Sequence, residues 1–206
     1  MDIAAKFIEL ITSRLPNYND QLNSGCSEEK IAHLESIIEK TLPESYKSIL
    51  LFCNGEKLYP SIMASYMLPI EEIIPAYNFI VNKTDNTDEE LVVTQPTLAQ
   101  LQKYGLKRVP FAESGSANYL CFDYAPAQNG KEGQITYIAL GEPDAITVVA
   151  DSFDDFLRLL LRAHETGMIS FEREYNSDKG HFIHDWIWYA GWAKSKARHF
   201  NPKLQY

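Results

Sequence analysis

The spacing His181-x-x-His184-Asp185 brings together the side chains of this chain best suited to metal chemistry. Neutral imidazoles ligate divalent ions, and two of them three residues apart on a helix share a face. A metal-dependent hydrolase using His181, His184 and Asp185 would also need an earlier histidine, which His33 or His164 could supply, and a later aspartate. Residues 186–206 contain neither Asp nor Glu, so the ligand set stays incomplete and the histidines read as capping or partly buried groups on an aromatic helix. Ser114-Gly115-Ser116 offers hydroxyls in a turn, but a nucleophile elbow needs glycine two residues before the serine, where Ala112 or Ser114 stands. Neither spacing of a phosphate-binding glycine loop is present. The expectation is no catalytic residue, no metal and no cofactor.

Charge offers a different chemistry. Acids cluster at Glu71-Glu72, at Asp151 with Asp154-Asp155, and at four of the six positions 85–90. The first two groups suit helix first turns, where carboxylates answer the macrodipole, and the third suits a solvated loop. Their functional reading is that Glu71, Glu72, Asp151, Asp154 and Asp155 rim a surface that docks a positively charged protein, where complementary charge speeds encounter. Nineteen basic against twenty-eight acidic residues give a formal charge of −9, which opposes nucleic acid and anionic membrane and favours a basic partner. All three tryptophans, Trp186, Trp188 and Trp192, precede a basic end with Lys194, Lys196, Arg198, His199 and Lys203. This tail either packs on the main domain or presents an aromatic patch to a partner or a second copy. Cys26, Cys53 and Cys121 lack any CxxC and read as reduced, buried thiols. The first sixteen residues resemble neither a signal peptide nor a membrane span, so a cytoplasmic protein is expected.

These groups need elements to position them, and 206 residues suit one domain with an extension. Helical spacing of Ile3, Phe7, Leu10 and Ile11 predicts a first helix ending before Pro16. A second opens at Ser24 or Ser27, and a third runs from Pro43 through Tyr46, Ile49 and Leu50 to Asn54-Gly55. Extended structure is expected from Leu58, a short helix over 70–80, a loop over 84–94 and a brief helix from Pro96 that Gly105 caps. Strands follow at 109–112 continuing into 118–123, at 134–140 and at 146–150, joined by turn-forming residues and therefore antiparallel. Ser152 with Asp155 makes a carboxylate capping box ahead of Phe156, Leu157, Leu160 and Leu161.

Five stretches in order complete the pattern: Leu42-Pro43 through Tyr46 to Asn54-Gly55, Leu68 to Ile73, Val109-Pro110-Phe111 to Asp123, Gly133-Gln134-Ile135, and Ala150-Asp151-Ser152-Phe153 to Leu157. Together they resemble the SUKH superfamily, which includes the yeast Smi/Knr glucan-synthesis regulators, the bacterial Syd protein and many immunity proteins of polymorphic-toxin systems. The resemblance covers residues 27–162 and implies an α+β fold, a single domain with helices packed on a largely antiparallel sheet; because the helices, strands and capped last helix are all complete before Gly167, the domain is read as residues 1–165. Residues 166–206 would then form a helical aromatic extension without a family counterpart. The family's second turn glycine falls where Ala117 stands. The resemblance further implies no enzyme but a protein-binding module, above all an immunity protein that neutralises a toxin by stoichiometric binding. A regulatory scaffold of the yeast type is the alternative within the same class.

Overall fold

The computed structural model describes residues 2–14, 18–57, 65–83, 92–93, 97–100, 102, 104–114, 118–139, 145–165, 171–176 and 181–186. Helix α1 (Ile3–Arg14) buries Ala4, Phe7 and Ile11 and is followed by the single turn α2 (Tyr18–Gln21). Ser27 caps α3 (Glu28–Ile38) by accepting the Lys30 N–H, and Glu39 ends that helix in the left-handed conformation at φ 53°. Helix α4 (Glu44–Phe52) follows Pro43 at φ −57°, a value proline supplies without cost, and buries Tyr46, Ile49 and Leu50. Helix α5 (Ile70–Asn82) follows Pro69, which has no side chain able to cap it. Helix α6 (Phe153–Glu165) buries Phe153, Phe156, Leu157 and Leu160.

Among the described residues the main sheet has the order β1 (Tyr66–Met67), β3 (Arg108–Ser114), β4 (Asn118–Asp123), β5 (Gln134–Ala139), β6 (Ala145–Ala150) and β2 (Val92–Val93). Every pairing is antiparallel except the parallel contact of β2 with β6. Among the described residues both edge strands are two residues long. Pro110 lies in an interior strand, where its missing N–H is tolerated because the β3–β4 register shifts between Pro110 and Ala112.

One sheet face carries the main core. Tyr46, Phe111, Phe122 and Phe153 come from α4, β3, β4 and α6, with ring centroids 4.7–5.9 Å apart. The other face packs Tyr119, Cys121, Ile138, Ile146 and Val148 against Ile80 of α5 and Ala99. The three cysteines are free and buried, as expected, and burial pushes the Cys53 thiol up to about 12. The α+β architecture therefore matches the sequence reading.

Three expectations are corrected. Val92 and Val93 form the parallel edge strand β2 within the span predicted as loop, while 84–91 lie outside the described residues. The helix predicted from Pro96 is a turn at Thr97–Ala99, because its carbonyls go elsewhere: Thr97 O accepts the Asn129 N–H, and Leu98 O accepts those of Ala127 and the Gln134 side chain. Gly105, at φ 74°, instead gives its N–H to Ile80 O in the last turns of α5. Finally, the described part of the tail is not helical but an antiparallel pair, β7 (Phe171–Asn176) with β8 (His181–Trp186). Aromatic and β-branched residues at Phe171, Tyr175, Phe182, Ile183 and Trp186 suit a strand, and the intervening Ser177-Asp178-Lys179-Gly180 is turn-forming in composition. Residues 187–206 lie outside the description, as do Ser116 and Ala117.

Candidate partner-binding surface

The sequence-predicted carboxylates fall into two groups at opposite ends of α4. At its start, Ser45 Oγ donates to Asp154 Oδ1 at 2.6 Å. Just past its end, Asn54 Nδ2 donates to Glu71 Oε2 at 2.8 Å. The nine residue steps from Ser45 to Asn54 span about 13 Å at 1.5 Å per residue, so the two groups do not merge into one cluster.

Asp151, Asp154 and Asp155 do come together. Ser152 Oγ accepts the Asp155 N–H at 3.1 Å and donates to Asp155 Oδ2 at 2.7 Å. The capping box thus closes on the serine hydroxyl rather than on its backbone N–H, because an aspartate is one methylene too short for the usual reach. Arg158 bridges Asp155 at 2.7 Å and Asp154 at 3.8 Å, and Lys131 pairs with Asp151 at 2.6 Å. The three carboxylates keep 59%, 45% and 47% of their side-chain surface in chain order, so each is held in place yet open to solvent.

This patch borders a shallow groove between the α3–α4 connection, the β4–β5 turn and the start of α6, lined by Thr41, Tyr124, Glu132, Ser152, Asp154 and Arg158. Tyr124 Oη donates to Thr41 O at 3.0 Å, while Lys40 pairs with Glu132 at 2.5 Å and lies 5.7 Å from the Tyr124 ring centroid. Glu35 and Glu39 extend the same wall. The arrangement can exchange its own lysine partners for the cations of a docking protein without dehydrating a buried charge.

Glu71 anchors the second group. Hydrogen bonds from Lys30, at 2.7 Å, and from Asn54 hold its carboxyl down to about 2. Asn54 also accepts the Ile70 N–H through Oδ1 at 2.9 Å, so it supplies from another element the cap that Pro69 cannot give α5. Glu72 lies close enough to Glu113 of β3 to help raise its carboxyl above the usual range, after the larger effect of burial. Asp85 to Glu90 lie outside the described residues.

The motif residues are interior by contrast. Leu42, Tyr46, Pro110, Phe111 and Phe153 are buried, and Gly55 adopts φ 77° where a side chain would collide with the Met67–Pro69 backbone. Asp123 sits at the centre of a buried row in register across three strands, Arg108 of β3, Asp123 of β4 and Gln134 of β5. Arg108 Nε lies 3.5 Å from Asp123 Oδ1, its other nitrogens donate to Gln100 O and Gln102 O, and Gln134 Nε2 donates to Asp123 Oδ2 at 3.1 Å. Arg108 is missed from sequence because its partners are discontinuous in the chain.

The predicted His181 and His184 pair lies on strand β8 and not on a helix, so the helical spacing that motivated a metal site does not apply. Among the described residues no three His, Cys, Asp or Glu side chains group as a metal site, and no helix is long and apolar enough to cross a membrane.

The model of the SMI1 / KNR4 family (SUKH-1) matches residues 25–159. The chain belongs to that family. A comparison with curated proteins found no match. The family match starts beside the α3 cap at Ser27 and ends within α6, so it takes in the aromatic core, the buried Arg108–Asp123–Gln134 row and both carboxylate groups. Family membership supports a protein-binding role of SUKH type.

Proposed function

We propose that this chain is a non-enzymatic immunity protein of the cytoplasm that neutralises a basic toxin domain by stoichiometric binding. Membership of the SMI1/KNR4 family carries the reading. The half-exposed, anchored carboxylates Asp151, Asp154 and Asp155 beside the groove support it, because a toxin that holds nucleic-acid phosphates presents cations where it must be blocked. Glu71 and Glu72 offer a second contact at the far end of α4.

The test begins with the reading frame upstream of the gene, which on this proposal encodes a long secreted protein with a variable carboxyl-terminal domain. That domain, produced alone, should arrest growth. Produced with this chain it should become harmless and elute with it as a 1:1 complex in gel filtration. A domain that stays toxic and elutes alone refutes the proposal.

A further inference from the structure

Away from the carboxylates, one corner of the molecule already holds a cation. Phe79, in the last turn of α5 and 48% exposed, faces Tyr104 edge-on, with ring centroids 5.8 Å apart and an interplanar angle of 86°. Lys83 places Nζ 5.0 Å from the Phe79 centroid and 4.3 Å from that of Tyr104, and donates to Tyr104 Oη at 3.2 Å. The walls are fixed by backbone: Phe79 stands on the helix, and the Gly105 N–H ties the segment beside Tyr104 to Ile80 O at 2.9 Å. The ammonium arrives on a flexible four-carbon stem.

Two observations separate this corner from ordinary surface packing. Lys40 over Tyr124 is held by Glu132, whereas among the described residues no carboxylate pairs with Lys83, so its described partners are the two rings and the hydroxyl. In the chain, Lys83 is followed by four acids within positions 85–90, a local excess of negative charge that favours a cation nearby.

We propose that the Phe79–Tyr104 corner recognises a lysine side chain of a protein partner, and that Lys83 fills it in the free chain and yields on binding. This deepens the functional reading and rests on it, since it takes the partner to be a protein with a basic surface. Lysine is the occupant because the resident group is an ammonium close to both ring faces and to a phenolic oxygen. Exposed cation–π contacts contribute modestly, so the corner adds about two- to fivefold to affinity and acts as a specificity contact.

The probe is hexalysine, with fully Nε-acetylated hexalysine as the uncharged control, titrated into the full chain while NMR follows the Phe79 and Tyr104 ring signals. The rings should shift saturably with hexalysine alone. Lys83→Ala should lower the midpoint about two- to fivefold by removing the internal competitor, and adding Tyr104→Ala should abolish the gain. Equal shifts with the acetylated peptide, or equal midpoints for the native chain and Lys83→Ala, overturn the proposal. No toxin is used, so a failed toxin complex and a failed lysine corner are separate results.

Discussion

Replacing Asp123 by asparagine removes one charge from the buried row and almost no volume. Arg108 and Asp123 are both fully buried, and their closest atoms are 3.5 Å apart. With an effective dielectric of about 20, the attraction across that gap is about 5 kcal/mol. The amide oxygen of the replacement can still accept the Ala125 N–H that Asp123 accepts at 3.1 Å, so the backbone turn survives and the guanidinium is left without its counter-charge. Breaking one side of a buried pair costs about 3–5 kcal/mol, a large part of a domain's stability. In a urea titration followed by far-ultraviolet circular dichroism, a slope of about 2 kcal/mol per molar gives a midpoint lowered by about 1.5–2.5 M. Asp151→Asn, which disturbs an exposed pair with Lys131, should cost less than about 0.5 kcal/mol in the same assay. A cost below about 1 kcal/mol for Asp123→Asn, or one no larger than that of Asp151→Asn, would refute the reasoning.

Tyr46 is fully buried and its hydroxyl has no hydrogen-bond partner among the described residues, so Tyr46→Phe should raise stability by about 1 kcal/mol, and a loss in the urea titration would show a hidden partner. Glu71 is held down to about 2 against about 4.3 in the unfolded chain, so its contribution is complete above the unfolded value and lost as pH falls through the folded one. Melting temperatures of Glu71→Gln and the native chain should therefore differ at pH 7 and draw together between about pH 5 and pH 1; a gap at pH 2 as large as that at pH 7 contradicts this. Glu113 has the opposite sign: its raised carboxyl opposes folding when ionised, so Glu113→Gln should melt higher at pH 7, with the advantage vanishing as pH falls below the unfolded value near 4.

What was legible in the sequence was local. Ser27 and Ser152 announce helix starts through bonds that span three residues, and the stripes in α1, α3, α4 and α6 follow the helical period. The helix expected from Pro96 does not form at Thr97–Ala99, because side chains from Arg108 and Gln134 take the carbonyls of Leu98, Gln100 and Gln102, and no local pattern records an acceptor's distant donor. The β2 strand is two residues long and owes its state to β6, more than fifty positions later. The expected helical tail gives way to the β7–β8 pair, whose sequence signal lies in the aromatic and β-branched residues of 171–175 and 182–186 flanking the turn-forming 177–180. The Asp151–Asp155 group was visible because it is contiguous. The Arg108 row and the Phe79–Lys83–Tyr104 corner were hidden because each joins segments that only the fold brings together.

The borrowed cap at Asn54 bears on the order in which this chain assembles. Helix α5 begins after a proline that cannot cap it, and its first amide is satisfied only once the end of α4 has arrived with Asn54 in place. That same residue positions the carboxylate that reaches back to Lys30 on α3, so three helices meet at one amide side chain. Nucleating α5 alone would leave its first turn both uncapped and unpartnered, a costly start for a helix of thirteen residues. The expected consequence is that α5 consolidates with or after the α3–α4 pair, an order that φ-values measured at Asn54 and Ile70 would check.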